Sequence, residues 1–278
     1  IMARTRYSRR KKRNDDIKGY ILLFISAIII LGILGAYFFV RGNSIILTKD
    51  TLCPEDGPHG HTVFLIDRTD TYSKIQIAQI EKYLAEFQRQ IPKHNELSIY
   101  DINSDPDNSL TPVFKMCNPG DGSDIGNWES LATNKNQIKQ KYDEKFSDKL
   151  NETLNNMLLP NTEDISPIFE MIKVVAVKAF PLAETKNGNH LIIISDMLHN
   201  SSDYSHYQSS PDVNSFKNSN FRKKINVDLT NTKFNILYVE RANYANLQNN
   251  NHKNFWISVF VDLFNANKNS EDPFIIIN

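Results

Sequence analysis

Residues 19–40 read GYILLFISAIIILGILGAYFFV, a run without a single charged side chain. At about 1.5 Å of rise per residue, a helix of this length crosses the roughly 30 Å hydrocarbon core of a bilayer. A helix buried in a soluble core usually keeps a polar stripe, and this run has none. It exceeds the h-region of a cleaved signal peptide, about 7–15 residues, and no A-x-A site follows Val40. The expectation is an uncleaved transmembrane helix over 19–40. Its flanks orient it. Residues 1–18 carry Arg4, Arg6, Arg9, Arg10, Lys11, Lys12, Arg13 and Lys18 against Asp15 and Asp16, whereas Arg41 is the sole close positive charge beyond the run. Lys and Arg are retained on the cytoplasmic side. This predicts a single-pass protein of the cell inner membrane, with a basic cytoplasmic tail (1–18) and a periplasmic or extracellular body. Tyr20, Tyr37, Phe38 and Phe39 fall near the expected interfaces, where aromatic rings are favoured. Topology explains the basic cluster. The whole chain balances 32 basic against 32 acidic residues, so no nucleic-acid partner is expected.

Beyond the anchor, Gly42, Pro54, Gly57, Pro58 and Gly60 mark a linker over 41–60. Residues 61–278 then alternate between two periodicities. HTVFLID (61–67), LSIYDI (97–102), HLIIIS (190–195) and FNILYV (234–239) are short apolar runs suited to buried strands, and residues 110–116 read as a further strand. Ile77, Ile80, Leu84, Phe87 and Ile91 recur at helical spacing up to Pro92. An insertion over about 117–163 opens with turn residues. It continues as a long amphipathic helix through Ile138, Tyr142, Phe146, Leu150, Leu154 and Leu158. Helices are expected at 165–180, with Pro167 in the first turn, and at 255–264. The Ser/Asn-rich stretch 200–225 and the triplet Asn249, Asn250 and Asn251 read as solvated loop. Alternating strands and helices imply an α/β domain, a doubly wound, mostly parallel sheet covered on both faces.

In such sheets ligands bind at the carboxyl ends of the strands. After HTVFLI come Asp67, Arg68, Thr69, Asp70 and Thr71; after HLIII come Ser195 and Asp196; Ser166 opens the helix that leads into HLIII. Carboxylates and hydroxyls meeting there would form a hard-oxygen site suited to magnesium, manganese or calcium. The spacing Asp67-x-Thr69-x-Thr71 after a buried strand resembles the metal loop of von Willebrand factor A (vWA) domains. Asp196 after HLIIIS resembles their third loop, and Ser166 stands for the second-loop threonine. The resemblance covers roughly 61–266 and implies a vWA/Rossmann-like fold. It also implies that Asp67, Thr69, Thr71, Ser166 and Asp196 ring one divalent cation, whose coordination an acidic side chain of a partner protein completes. Two positions depart from the pattern: the second loop reads DISP where the family has Thr after glycines, and Met197 stands where it has Gly after the Asp.

Three functions follow as expectations. The first is a membrane-anchored, divalent-dependent protein-binding module in a bacterial envelope, conjugation or defence assembly. The second is a metal-dependent hydrolase, with Asp70 or His199 as base. The third is a structural subunit of a membrane complex. A dehalogenase-type phosphatase would need an aspartate where Thr69 stands, so its acid/base step is missing. Cys53 and Cys117 are the only cysteines. In an oxidising compartment they are expected to pair, and closing that loop would stabilise the fold by about 3–4 kcal/mol.

Overall fold

The structure is a computed structural model and describes residues 2–42, 45–104, 110–123, 134–180, 185–208, 210–268 and 272–278. It divides into two compact units, Ile1–Ile46 and Leu47–Asn278. The first is one helix, α1 (Met2–Gly42). It runs past the apolar stretch into the basic segment, because Arg and Lys are good helix formers and nothing before Gly19 breaks the turn. Within it, Lys18–Phe38 has a mean hydropathy of 2.7, and its side chains are exposed. It is long and apolar enough to cross a membrane, and its length and composition also fit a signal sequence.

The second unit is an α/β domain with a mostly parallel central sheet. β1 (His61–Asp67) lies between β2 (Glu96–Ile102) and β4 (Asn189–Ser195), parallel to both, and β5 (Thr232–Val239) extends the sheet beyond β4. β3 (Phe114–Cys117) closes one side antiparallel to β2. Two short parallel strands, β6 (Asn267–Lys268) and β7 (Phe274–Ile277), share the outer edge of β5. The order β3-β2-β1-β4-β5 reverses direction at β1, so a crevice opens between the carboxyl ends of β1 and β4.

Alternation along the strands decides what each face buries. Val63 and Leu65 of β1, with Leu191 and Ile193 of β4, join a core with Phe169, Ile172, Trp256 and Phe260. Phe64, Ile66, Ile192 and Ile194 point the other way, onto Ile80, Leu84, Phe146 and Leu150. The first face is covered by α5 (Ile168–Lys178) and by α8 (Asn250–Ser258) with its π-helical extension Val259–Leu263. The second is covered by α2 (Lys74–Gln90) and by α3 (Lys135–Tyr142) and α4 (Asp148–Met157), joined through a π turn at Asp143–Ser147. The long amphipathic helix of the insertion is thus present with its register shifted once, which brings Phe146 fully into the core.

Several expectations change. The stretch 200–225 is not all loop: α6 (Val213–Asn218) and α7 (Asn220–Lys224) bury Phe216 and Phe221. The polar residues that read as solvated are their caps. Asp212 accepts from the Ser215 N–H and Ser219 from the Arg222 N–H. Asn249 likewise starts α8 by accepting from Asn251 and His252, so the last helix begins well before Phe255. Pro167 is the N-cap of α5, one position ahead of its first turn. The strand β7, over FIII, had no sequence expectation. Part of the turn-rich insertion, 124–133, lies outside the described residues. The second unit starts at Leu47, inside the segment read as a linker. There Leu52 and Cys53 are buried, and the Cys117 N–H donates to the Thr51 carbonyl at 2.8 Å. Cys53 and Cys117 stand at disulfide distance, their Cα atoms 4.8 Å apart.

Candidate functional site

The crevice at the strand ends is built around one carboxylate. β1 delivers Asp67 to its carboxyl end, 4% exposed. Its Oδ1 accepts from the Thr69 N–H at 3.0 Å and the Thr69 hydroxyl at 2.7 Å, an Asx-type turn that fixes the loop. Its Oδ2 accepts from the Ser195 hydroxyl at 2.7 Å, at the end of β4, and from the Ser166 hydroxyl at 3.2 Å. The Tyr72 hydroxyl donates to the Asp67 carbonyl. Ser73 then opens α2 with a capping box shared with Gln76. Ser166 is positioned by paired backbone bonds with Asn200, at 2.8 and 2.9 Å.

Asp196, next along from β4, is 3% exposed. Its Oδ1 accepts from the Leu198 N–H at 2.8 Å and its Oδ2 from Arg241 Nε at 3.3 Å. Arg241 follows β5. Its Nη1 donates to the Thr71 carbonyl, and its guanidinium lies over the Tyr72 ring, 5.4 Å from the centroid. Gln248 ties the loops together: its amide donates to the carbonyls of Asp196 (3.0 Å) and Val239 (2.8 Å), and its oxygen accepts from the Arg241 N–H at 2.6 Å. Burial is the main force raising the Asp67 carboxyl above its ordinary value, and the hydrogen bonds from Thr69, Ser195 and Ser166 oppose it. Asp196 is also raised, first by burial and then by the Asp67 charge, with Arg241 pulling it back.

The expected site residues therefore divide. Asp67, Thr69 and Ser166 meet directly, and Asp196 stands beside them held by Arg241. Thr71 is exposed and reaches the cluster through its carbonyl. Sequence reasoning named Ser195 at the strand end but not among the five residues ringing the cation, and it left out Tyr72, Gln248 and Arg241. The signal for Arg241 was available, because the rule that singled out residues after β1 and β4 also points to Glu240 and Arg241 after β5. Met197, standing where the vWA pattern has glycine, is held in the left-handed region at φ 63°. That conformation is uncommon for a side chain without a local polar group. It is stabilised there because its N–H donates to Ser195 Oγ at 2.8 Å and its carbonyl accepts from the Trp256 indole at 3.0 Å.

The donors do not fit a divalent cation as the site stands. Both oxygens of Asp67 and both of Asp196 are already hydrogen-bonded, and a guanidinium occupies the ionic partnership with Asp196. What remains are the neutral hydroxyl oxygens of Thr69, Ser166 and Ser195, whereas a hard cation is usually anchored by one or more free carboxylate oxygens.

A histidine cluster lies in the core behind the Asp196 loop. The Trp256 indole, which donates to the Met197 carbonyl, also lies 3.3 Å from His252 Nε2; His252 Nδ1 and the Tyr238 hydroxyl share a hydrogen bond at 2.7 Å, and His206 Nδ1 lies 3.1 Å from the same Nε2. His199 is fully buried against Phe169 and Phe221, with Nε2 3.1 Å from the Ser201 hydroxyl. Its position inside the aromatic core removes it from the role of a base at the strand ends. Burial pushes His199 down to about 3 from 6.5. As pH falls below 6.5 the unfolded chain takes a proton there that the folded chain refuses. The stability from neutral His199 is therefore complete above that pH and is lost on acidification, at about 1.4 kcal/mol per pH unit. Replacing His199 by Gln should flatten the stability-versus-pH curve of the parent by about that slope between roughly pH 6 and 4. Denaturant titrations across pH measure it, and parallel curves would contradict it.

No protein-family model matches the chain, and comparison with curated proteins finds no match. Among solved structures, a crystal structure of the SpRpn10 VWA domain is similar at 13% identity and a TM-score of 0.32. The match covers 78% of this chain and 86% of that one.

Proposed function

We propose that this chain is a membrane-anchored binding module of the vWA type, which holds an acidic side chain of a protein partner at the carboxyl ends of its strands. The observation that carries the reading is the convergence of polar side chains from four separate segments. These are Asp67 and Thr69 at and beyond the end of β1, Ser166 before α5, Ser195 and Asp196 at and beyond the end of β4, and Arg241 after β5. The topological switch point is where an open α/β sheet receives ligands. The D-x-T-x-T spacing after β1 and the sheet order support the vWA assignment. The hydrolase alternative loses one of its two candidate bases, because His199 is sealed in the aromatic core, and is left with half-buried Asp70. The helix Lys18–Phe38 supports anchoring. The positive charges before it support a cytoplasmic N-terminus, and the adjacent Cys53 and Cys117 suit an oxidising compartment outside it. An envelope, conjugation or defence assembly is the setting this architecture suits.

The test is site-specific photo-crosslinking of the full-length protein in its own cells, with the crosslinker at exposed Thr71 and, as control, at exposed Val177. The reading expects a defined protein adduct from Thr71, absent from Val177 and lost when Arg241 is changed to Glu. Adducts of equal yield from both positions, or one indifferent to Arg241→Glu, would overturn it.

A further inference from the structure

Two buried carboxylates stand at the strand ends, Asp67 at 4% and Asp196 at 3% exposure, and each raises the cost of charging the other. Taking one such charge out of water costs several kcal/mol, and a positive charge close by offsets that cost. The vWA resemblance implies a divalent cation for that purpose. Here another group is in place. Arg241 donates Nε to Asp196 at 3.3 Å and Nη1 to the Thr71 carbonyl, and its plane covers Tyr72. Gln248 fixes its backbone. Three contacts thus hold the side chain and a fourth its backbone, and an arginine side chain carries five donors in a planar, positively charged fork.

We propose that Arg241 is the resident cation of this site, so that the strand-end face works without a divalent metal. A metal ion entering among Thr69, Ser166 and Ser195 would meet the repulsion of a fixed guanidinium across a low-dielectric gap. It would also have to displace Arg241 from the Asp196 oxygen. Arg241 Nη2 makes no hydrogen bond among the described residues. This second part rests on the function proposed above: Nη2 is the donor left for the partner's carboxylate, so the guanidinium bridges Asp196 on one edge and the partner's acid on the other. In that geometry the partner is recognised by a charge-assisted bond to arginine, where the metal-bearing pattern uses coordination.

The experiment is a Mn²⁺ titration of the full-length protein in detergent after chelator treatment, with free Mn²⁺ followed by electron paramagnetic resonance. The parent protein is expected to bind none up to millimolar Mn²⁺, and its melting temperature should be the same in chelator and in millimolar Mg²⁺. Arg241→Gln removes the charge and should gain Mn²⁺ affinity by at least about tenfold. Arg241→Lys keeps a charge and should gain none. Because Arg241→Gln could lower folding yield, the parent titration decides by itself. Saturable Mn²⁺ binding at micromolar concentration that Asp196→Ala abolishes would overturn the proposal, and so would a folded Arg241→Gln protein with no gain. Neither arm uses a partner. Loss of the Thr71 crosslink reading would therefore remove the role of Nη2 and leave the resident-cation assignment standing.

Discussion

Trp256→Ala is expected to cost the folded domain about 3–5 kcal/mol, the range for deleting a fully buried tryptophan. Trp256 is wholly buried. Its ring stacks on Phe169, with centroids 4.6 Å apart and planes 27° apart, and meets Phe255 edge-on. Removing it opens a cavity at the centre of the aromatic core that joins α5, α6, α7 and α8. The loss also reaches the strand ends. The indole N–H donates to the Met197 carbonyl, and that bond helps hold Met197 in its left-handed conformation directly after Asp196. Trp256→Phe separates the two effects. It keeps most of the ring volume and drops the donor, so the expected loss is about 1–2 kcal/mol. Hydrogen exchange at Met197 and Leu198 should still accelerate in Trp256→Phe, because the cap on their loop is gone. Equilibrium denaturation followed by circular dichroism gives both energies. A loss for Trp256→Ala under about 1 kcal/mol would mean that the ring is not packed as described.

Asp67→Ala should lower stability by about 3 kcal/mol. Four donors aim at this carboxylate, from the Thr69 N–H and the hydroxyls of Thr69, Ser166 and Ser195. Each donor left unsatisfied in a buried site costs about 1–3 kcal/mol. Burial of the charge works in the opposite direction and raises the Asp67 carboxyl, so alanine also relieves something. The donors win because four of them lose one acceptor, while one charge is relieved. Asp67→Asn keeps the shape but turns an NH₂ toward donors on one side, so at least about 2 kcal/mol of the loss should remain. Chemical denaturation of parent and variants reads this directly. Neutral behaviour of both variants would remove Asp67 from the centre of the site.

The sheet was legible because its strands are continuous apolar runs. VFLI and LIII are buried on both faces, and such runs bounded by turn residues read as central parallel strands. Asp67, Thr69 and Asp196 could be placed from the strand-end rule, since topology fixes where β1 and β4 end, whereas Ser166, ahead of a helix, was placed by the vWA resemblance. The polar stretches were harder, because Ser and Asn serve equally in loops and as helix caps. Ser219 and Asn249 show this: Ser219 starts a helix too short for a periodic signal, and Asn249 starts one whose polar first turn hides where its apolar pattern begins. Ser195 was visible beside Asp196, yet its partner lies 128 residues away in sequence, and only the fold brings its hydroxyl to Asp67. Arg241 was missed for a related reason. Its place after β5 was open to the strand-end rule, but its tie to Asp196 appears only after folding. β7 is a four-residue strand, and its pairing with β5 comes from the tertiary arrangement, with no period to announce it.

The central claim is that β1 and β4 end at one shared carboxylate. A double-mutant cycle on Asp67→Ala and Ser195→Ala tests it most directly, with folding free energies measured for parent, both single variants and the double variant. A coupling of about 1–3 kcal/mol is expected, because removing either partner strands the other in a buried site. Energies that simply add, to within about 0.3 kcal/mol, would mean the two side chains do not meet.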